Sequence, residues 1–146
     1  GTDFTNDDLV QRSSVSDDYY NSIIGEENIE GYECWVIQLI PKEDSPVVWG
    51  KLVMWIDKNH FMQLKTEFYD EYEDLVSIMY SNNIKDFQGK KLPAIIEYVP
   101  LDKDGNKTII ERLVWNFDID INKRYFMPSY MKNLRSSTQK YNGKYK

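Results

Sequence analysis

A chain of 146 residues suits one domain, and at that size roughly two-thirds of the unfolded chain's surface can be buried. The net charge of −6 supplies no basic stripe, which argues against a nucleic-acid-binding protein. No run of about 20 apolar residues is present to span a membrane as a helix, and no apolar signal-peptide core opens the chain, so any signal is expected outside it.

The aromatic fraction is 14%, with 11 Tyr, and these residues favour pleated, half-buried surfaces. The N-terminus is the exception. Thr5 and Asp8 fit a capping box, and Phe4 before the cap can pack on Leu9, which predicts a short helix over Asn6–Arg12. Strands then follow. Asp18–Ile24 and Tyr32–Ile40 read as a hairpin around Gly25-Glu26-Glu27-Asn28. Cys34 lies in the second of these and has no cysteine to pair with, so it reads as a small buried hydrophobe. Lys42–Pro46 is a loop of turn residues.

Pro46–Tyr69 is the most informative stretch. It reads as strands Val47–Ile56 and Phe61–Tyr69 joined through Asp57-Lys58-Asn59-His60, where Asn59 tolerates a left-handed conformation. Strict alternation puts Val47, Trp49, Val53 and Trp55 on one face and Val48, Leu52, Met54 and Ile56 on the other. A half-solvated strand would alternate apolar with polar, so something apolar must cover each face. Beyond Asp70–Glu73 the pattern gives strands Leu75–Asn82, Ile84–Phe87, Leu92–Leu101 and Lys107–Phe117, the last expected to be the longest, and a short helical turn within Tyr125–Leu134 near Pro128. Strand after strand without a helix between them predicts an antiparallel meander. No acid follows Asp120, whereas Lys123, Arg124, Lys132, Arg135, Lys140, Lys144 and Lys146 are basic. This end reads either as a solvated tail or as a contact for anionic lipid headgroups.

A catalytic set is not visible. His60 is the only histidine and falls in a turn, and no G-x-S-x-G elbow accompanies it. One His and one Cys cannot ligate zinc. Asp102, Asp104 and Asn106 resemble a calcium loop, but Gly105 stands fourth rather than sixth, and Asp-Gly is a hairpin-turn signal. Asp70, Glu71, Glu73 and Asp74 read as a solvated loop; a carboxylate pair is defined by its separation in space, which sequence does not give. No Gly-rich loop joins a strand to a helix, and no cofactor is implied. An apolar, aromatic sheet surface without a catalytic set is the profile of a binder.

Three segments carry a family resemblance: Gly1–Leu9 (GTDFTNDDL), Val48–Ile56 (VWGKLVMWI) and Leu64–Asp70 (LKTEFYD). With Ile84-Lys85 before Gly89-Lys90-Lys91-Leu92-Pro93, and Phe126 and Leu134 near the end, the chain resembles the outer membrane lipoprotein-sorting proteins, relatives of LolA and LolB, over about Gly1–Arg135. The resemblance implies a curved antiparallel sheet forming an incomplete β-barrel with short helices at the ends, in a domain of residues 1–135 followed by a basic polar tail of 136–146. It implies non-enzymatic binding of acyl chains of lipid or lipoprotein in the hollow of the sheet, in the periplasm or cell envelope. Members carry further strands upstream, so this chain corresponds to the C-terminal portion of such a domain, with an exposed sheet edge expected to drive self-association. No motif fixes the ligand residues; the candidates are Trp49, Val53, Trp55, Leu64, Phe68 and Ile96. The rival reading is a protein-interaction module that docks an envelope transporter component through the apolar face, and a hydrolase on a β scaffold ranks last.

Overall fold

The structure, a computed structural model, describes residues 15–102 and 105–130. The expected helix over Asn6–Arg12 and the tail after Arg135 lie outside the described residues. The chain divides into two compact units, one ending at Trp115 and one beginning at Asn116.

In the first unit a single helical turn, α1 (Val15–Asp18), leads into seven strands. They are β1 (Tyr19–Ile29), β2 (Tyr32–Pro41), β3 (Lys51–Asp57), β4 (Gln63–Tyr69), β5 (Leu75–Phe87), β6 (Lys90–Pro100) and β7 (Thr108–Glu111). Each pairs antiparallel with its sequence neighbour, giving one curved, unclosed sheet in the order β1 to β7. The meander read from the sequence is the observed fold.

The turns explain the register. Glu30-Gly31 and Gln88-Gly89 both carry positive φ at two successive residues, the conformation that matches strand twist in two-residue hairpins. Each is held by a side-chain acceptor two residues before it: Asn28 Oδ1 accepts from Gly31 N at 2.9 Å, and Asp86 Oδ1 accepts from Gly89 N at 2.8 Å. The first hairpin therefore turns later than expected. Gly25 sits inside β1 at a register shift between Ile23 and Gly25, a bulge rather than a turn. At the β3–β4 turn the left-handed residue is Phe61 (φ 56), not Asn59. There the buried Asp57 carboxylate accepts from His60 N at 2.6 Å and lies 3.0 Å from His60 Nδ1. Asp70 shapes the β4–β5 turn by accepting from Tyr72 N and Asp74 N through one carboxylate oxygen. The expected break near Asn83 is absent, since β5 runs through it for 13 residues, although Asn83 has φ 54. The expected strand over Lys107–Phe117 is reduced to the four residues of β7.

Buried side chains form two clusters. One holds Cys34, Val36, Val53, Trp55, Met62 and Leu64, with Ile29, Tyr32, Tyr69 and Ile84 packed against it. The other holds Tyr19, Leu39 and Leu52, with Ile37, Val47, Trp49, Met54 and Phe68. Register places them on opposite faces: Val36 pairs with Trp55, and Leu39 pairs with Leu52.

The second unit contains a 3-10 turn at Lys123–Phe126, in which Asn122 Oδ1 caps Arg124 N at 3.0 Å. Residues 128–130 are helical, so Pro128 stands at a helix start.

Candidate functional site

The two faces of the sheet are chemically different. On the first, charged and aromatic side chains interlock. Trp55 Nε1 donates to Glu27 Oε2, and Lys65 Nζ sits 4.1 Å from the Trp55 ring centroid and 2.7 Å from Glu67 Oε1. The Tyr69 hydroxyl donates to Glu67 Oε2 at 2.6 Å, and Lys51 Nζ lies 4.2 Å over the Tyr69 ring and 3.7 Å from Glu73. Cross-strand pairing produces this ladder, because Lys51 is opposite Tyr69, Val53 opposite Glu67 and Trp55 opposite Lys65. Burial and the Glu67 carboxylate push the Tyr69 phenol up to about 12. Each cation of the ladder lies on a ring and beside a carboxylate, so lysine stems cover apolar surface while their charges stay partnered.

The second face is apolar over most of its width. One row of cross-strand partners reads Ile37, Met54, Thr66, Met79, Tyr98. The next reads Leu39, Leu52, Phe68, Ser77, Pro100, and a third holds Ser81, Ile96 and Ile110. Ile37, Met54, Met79, Ile96 and Tyr98 are only half-buried, while the smaller Thr66, Ser77 and Ala94 are buried at the floor. The Trp49 ring packs on Phe68 with centroids 5.0 Å apart, and Phe68 meets Tyr98 edge-on at 5.9 Å. An open cleft of about 440 Å³ lies between Trp49, Leu75, Val76, Tyr98, Pro100 and Leu101, with Asp102 at its margin. The Ser77 hydroxyl in the adjoining row has no hydrogen-bond partner among the described residues.

The pairing of β3 with β4 depends on Gly50. Its N–H donates to the Tyr69 carbonyl at 3.0 Å, and a Cβ built on it would stand 2.2 Å from the Asp70 carbonyl oxygen. Only glycine allows this approach. It also ends the strand alternation before Lys51, so Trp49 and Val47 pack with the Leu52 side of the sheet rather than with Val53 and Trp55.

A family model described as an uncharacterized protein matches residues 1–133. The chain belongs to that family. Its fold is LolA-like. A DUF1329 family protein from Desulfovibrio piger superposes with a TM-score of 0.74 at 23% identity, covering 88% of this chain and 52% of that one. A putative outer membrane lipoprotein-sorting protein domain from Vibrio parahaemolyticus gives 0.72 at 23% identity, covering 91% and 54%. A LolA superfamily protein from Nitrosomonas europaea gives 0.65 at 22% identity, covering 87% and 56%. The chain thus spans about half the length of each of these proteins. No curated protein matches it.

Within this LolA-like sheet the six residues singled out from the sequence divide equally. Val53, Trp55 and Leu64 lie on the ladder face and are 7%, 6% and 3% exposed. Trp49, Phe68 and Ile96 lie on the cleft face. Sequence reading did not single out Met54, Met79 and Tyr98, or the cleft residues Leu75, Val76, Pro100 and Leu101. The available signal was the alternation counted backward from Asp57, which puts Met54 with Ile56 and Leu52.

Other chemistry is sparse. Cys34 and Asp57 are cross-strand partners, with His60 beyond them. Burial, and after it the Asp57 charge, pushes the Cys34 thiol up, which opposes a thiolate nucleophile. No group of three His, Cys, Asp or Glu side chains among the described residues could hold a metal ion. No helix among them is long and apolar enough to cross a membrane.

Proposed function

We propose that the cleft face binds an acyl chain of a lipid or lipoprotein, so that the protein acts outside the cytoplasm as a non-enzymatic, lipoprotein-sorting-type carrier. The observation that carries this reading is the asymmetry of the two faces. A ladder of paired charges covers one, and the other presents a half-exposed apolar band with an open cleft at its end. The proposed wall is Trp49, Met54, Phe68, Ile96 and Tyr98, with Val53, Trp55 and Leu64 serving as core beneath the ladder. A pocket lined by apolar and aromatic groups with few polar ones suits an alkyl chain. Relatives in fold that are described as lipoprotein-sorting and LolA superfamily proteins support the same class of ligand.

A second reading is a module that docks a protein partner, such as an envelope transporter component. It draws on β1, which pairs on one side only among the described residues and exposes Tyr20, Ile23 and Ile24.

Mass spectrometry of lipid extracted from the native protein separates the two readings. Co-purified acyl lipid supports the carrier, whereas a lipid-free protein with a tight protein partner supports the module. A fluorescent fatty acid gives the residue-level test. Ile96→Asp should abolish its binding with the sheet intact, whereas Val53→Asp, which buries a charge in the ladder-face core, should unfold the protein. Unchanged fatty-acid binding by a folded Ile96→Asp protein would refute the assignment of the face.

A further inference from the structure

Charge is divided unevenly along this chain. The whole carries −6, yet residues 121–146 contain seven Lys or Arg and no acid, a formal +7 that leaves −13 on residues 1–120. Where this basic stretch begins, the second unit exposes large apolar side chains. Phe126 is 70% exposed, Ile119 58%, Met127 53% and Ile121 49%. They flank Lys123 and Arg124 on one short turn. The Arg124 guanidinium stands 5.2 Å from the Tyr125 ring centroid and 5.6 Å from that of Tyr130, and the two rings meet perpendicularly at 5.0 Å. The turn is locally built, since Asn122 caps Arg124 N and the Met127 N–H donates to the Arg124 carbonyl.

We infer that the segment from Ile121 to Tyr130 is a membrane-surface contact that recognises anionic phospholipid, with Phe126, Met127 and Ile121 entering the interface and Lys123 and Arg124 meeting the headgroups. Apolar side chains beside basic ones on a short element are the composition of an interfacial anchor. Tyrosine suits the same depth, where its ring is apolar and its hydroxyl wet. Charge complementarity selects the occupant. A body of −13 is repelled by an anionic bilayer, so a +7 end is the part of this chain that such a surface attracts. The inference does not rest on the acyl-binding proposal.

The test uses the full 146-residue chain and sedimentation with vesicles of phosphatidylcholine alone or with one-third phosphatidylglycerol. Binding is expected only with the anionic lipid at about 50 mM salt, and loss is expected at about 500 mM, where screening is far stronger. Each basic side chain near such a surface strengthens binding roughly fivefold, so K123Q/R124Q should weaken partition by roughly 25-fold. Phe126→Ser, at an exposed position, should weaken it by a similar factor while the melting temperature is unchanged. Fluorescent fatty-acid binding measured on the same proteins tests the carrier reading by itself, which separates failure of this inference from failure of that reading. Equal binding to neutral vesicles, no binding to anionic ones, or full binding by either turn variant would overturn the inference. If the basic end instead pairs with the acidic remainder of the chain, anionic vesicles will not sediment the protein.

Discussion

Gly50→Ala is the sharpest test of how the cleft face is assembled. The added methyl would meet three backbone atoms at once: the Asp70 carbonyl oxygen at 2.2 Å, the Asp70 carbonyl carbon at 2.7 Å and Glu71 Cα at 2.9 Å. None of these can rotate away as a side-chain end would. The start of β3 must therefore separate from the end of β4 by about 1 Å to restore ordinary contact distances. Overpacking of this kind costs about 1–3 kcal/mol. Weakening the Gly50 N–H bond to the Tyr69 carbonyl adds about 1 kcal/mol. The sum, about 2–4 kcal/mol, is a large share of a typical stability of 5–15 kcal/mol. For a domain of this size it should lower the melting temperature by roughly 6–15 °C. Trp49 precedes the glycine and forms one wall of the cleft, so affinity for a fluorescent fatty acid should fall as well. Gly25→Ala is the control, because a Cβ there meets nothing within 4 Å; its effect should stay under about 1 kcal/mol. Thermal unfolding of the two variants decides the matter. Equal melting temperatures would refute the claim that close backbone approach at Gly50 fixes the β3–β4 junction.

Four further outcomes are expected. The folded state raises the Tyr69 phenol from 10.0 to about 12, so its contribution to stability is complete below pH 10 and is lost as pH rises through about 12; Tyr69→Phe should flatten the fall in denaturant midpoint over that window. Cys34 is fully buried with a raised thiol, so iodoacetamide should label it only when denaturant opens the sheet; rapid labelling of native protein would contradict its placement. Ser77→Ala removes a buried hydroxyl that has no partner among the described residues and should leave the melting temperature unchanged or raise it, whereas a loss of more than about 1 kcal/mol would reveal a bond to that oxygen. The exposed edge of β1 should promote reversible self-association, read as a rising mass in light scattering across a dilution series; a strict monomer at high concentration would mean the edge is blunted within the chain.

The sequence reading and the structure agree where local chemistry decides. Short turns rich in Gly, Asp and Asn between aromatic and β-branched runs permit little besides an antiparallel meander, and that is the sheet observed. Errors cluster where one residue type serves two geometries. The sequence reads as a hairpin around Gly25–Asn28, but Gly25 and Gly31 suit a turn equally, and a strand pattern passing over Gly25 does not say which glycine turns and which bulges. The deciding feature was Asn28, three residues before Gly31 and able to accept from its N–H. Leu113 and Val114 carry the apolar pattern of a strand, yet β7 stops at Glu111 and both residues are exposed. Beyond that point Arg112 bonds the Pro93 carbonyl and lies over the Trp115 ring, a local arrangement with no periodic signal.

The candidate site was half legible for a related reason. A strand apolar on both faces announces two buried surfaces, and β3 has both. What alternation cannot show is how each surface is closed. On one side the closing groups are Lys51, Lys65 and Glu67, residues that look like solvated positions when read singly. They become a cover only when pairing sets Lys65 beside Trp55 and Lys51 beside Tyr69. No comparable polar ladder spans the other side among the described residues, where Met54, Met79, Ile96 and Tyr98 remain half-exposed on β3, β5 and β6. A protein that needed this surface only for stability could have continued the same lysine ladder around it at little cost. Keeping an apolar band in partial contact with water opposes solubility. That cost is accounted for if the band is covered intermittently by a ligand that arrives and leaves, which is the behaviour required of a carrier.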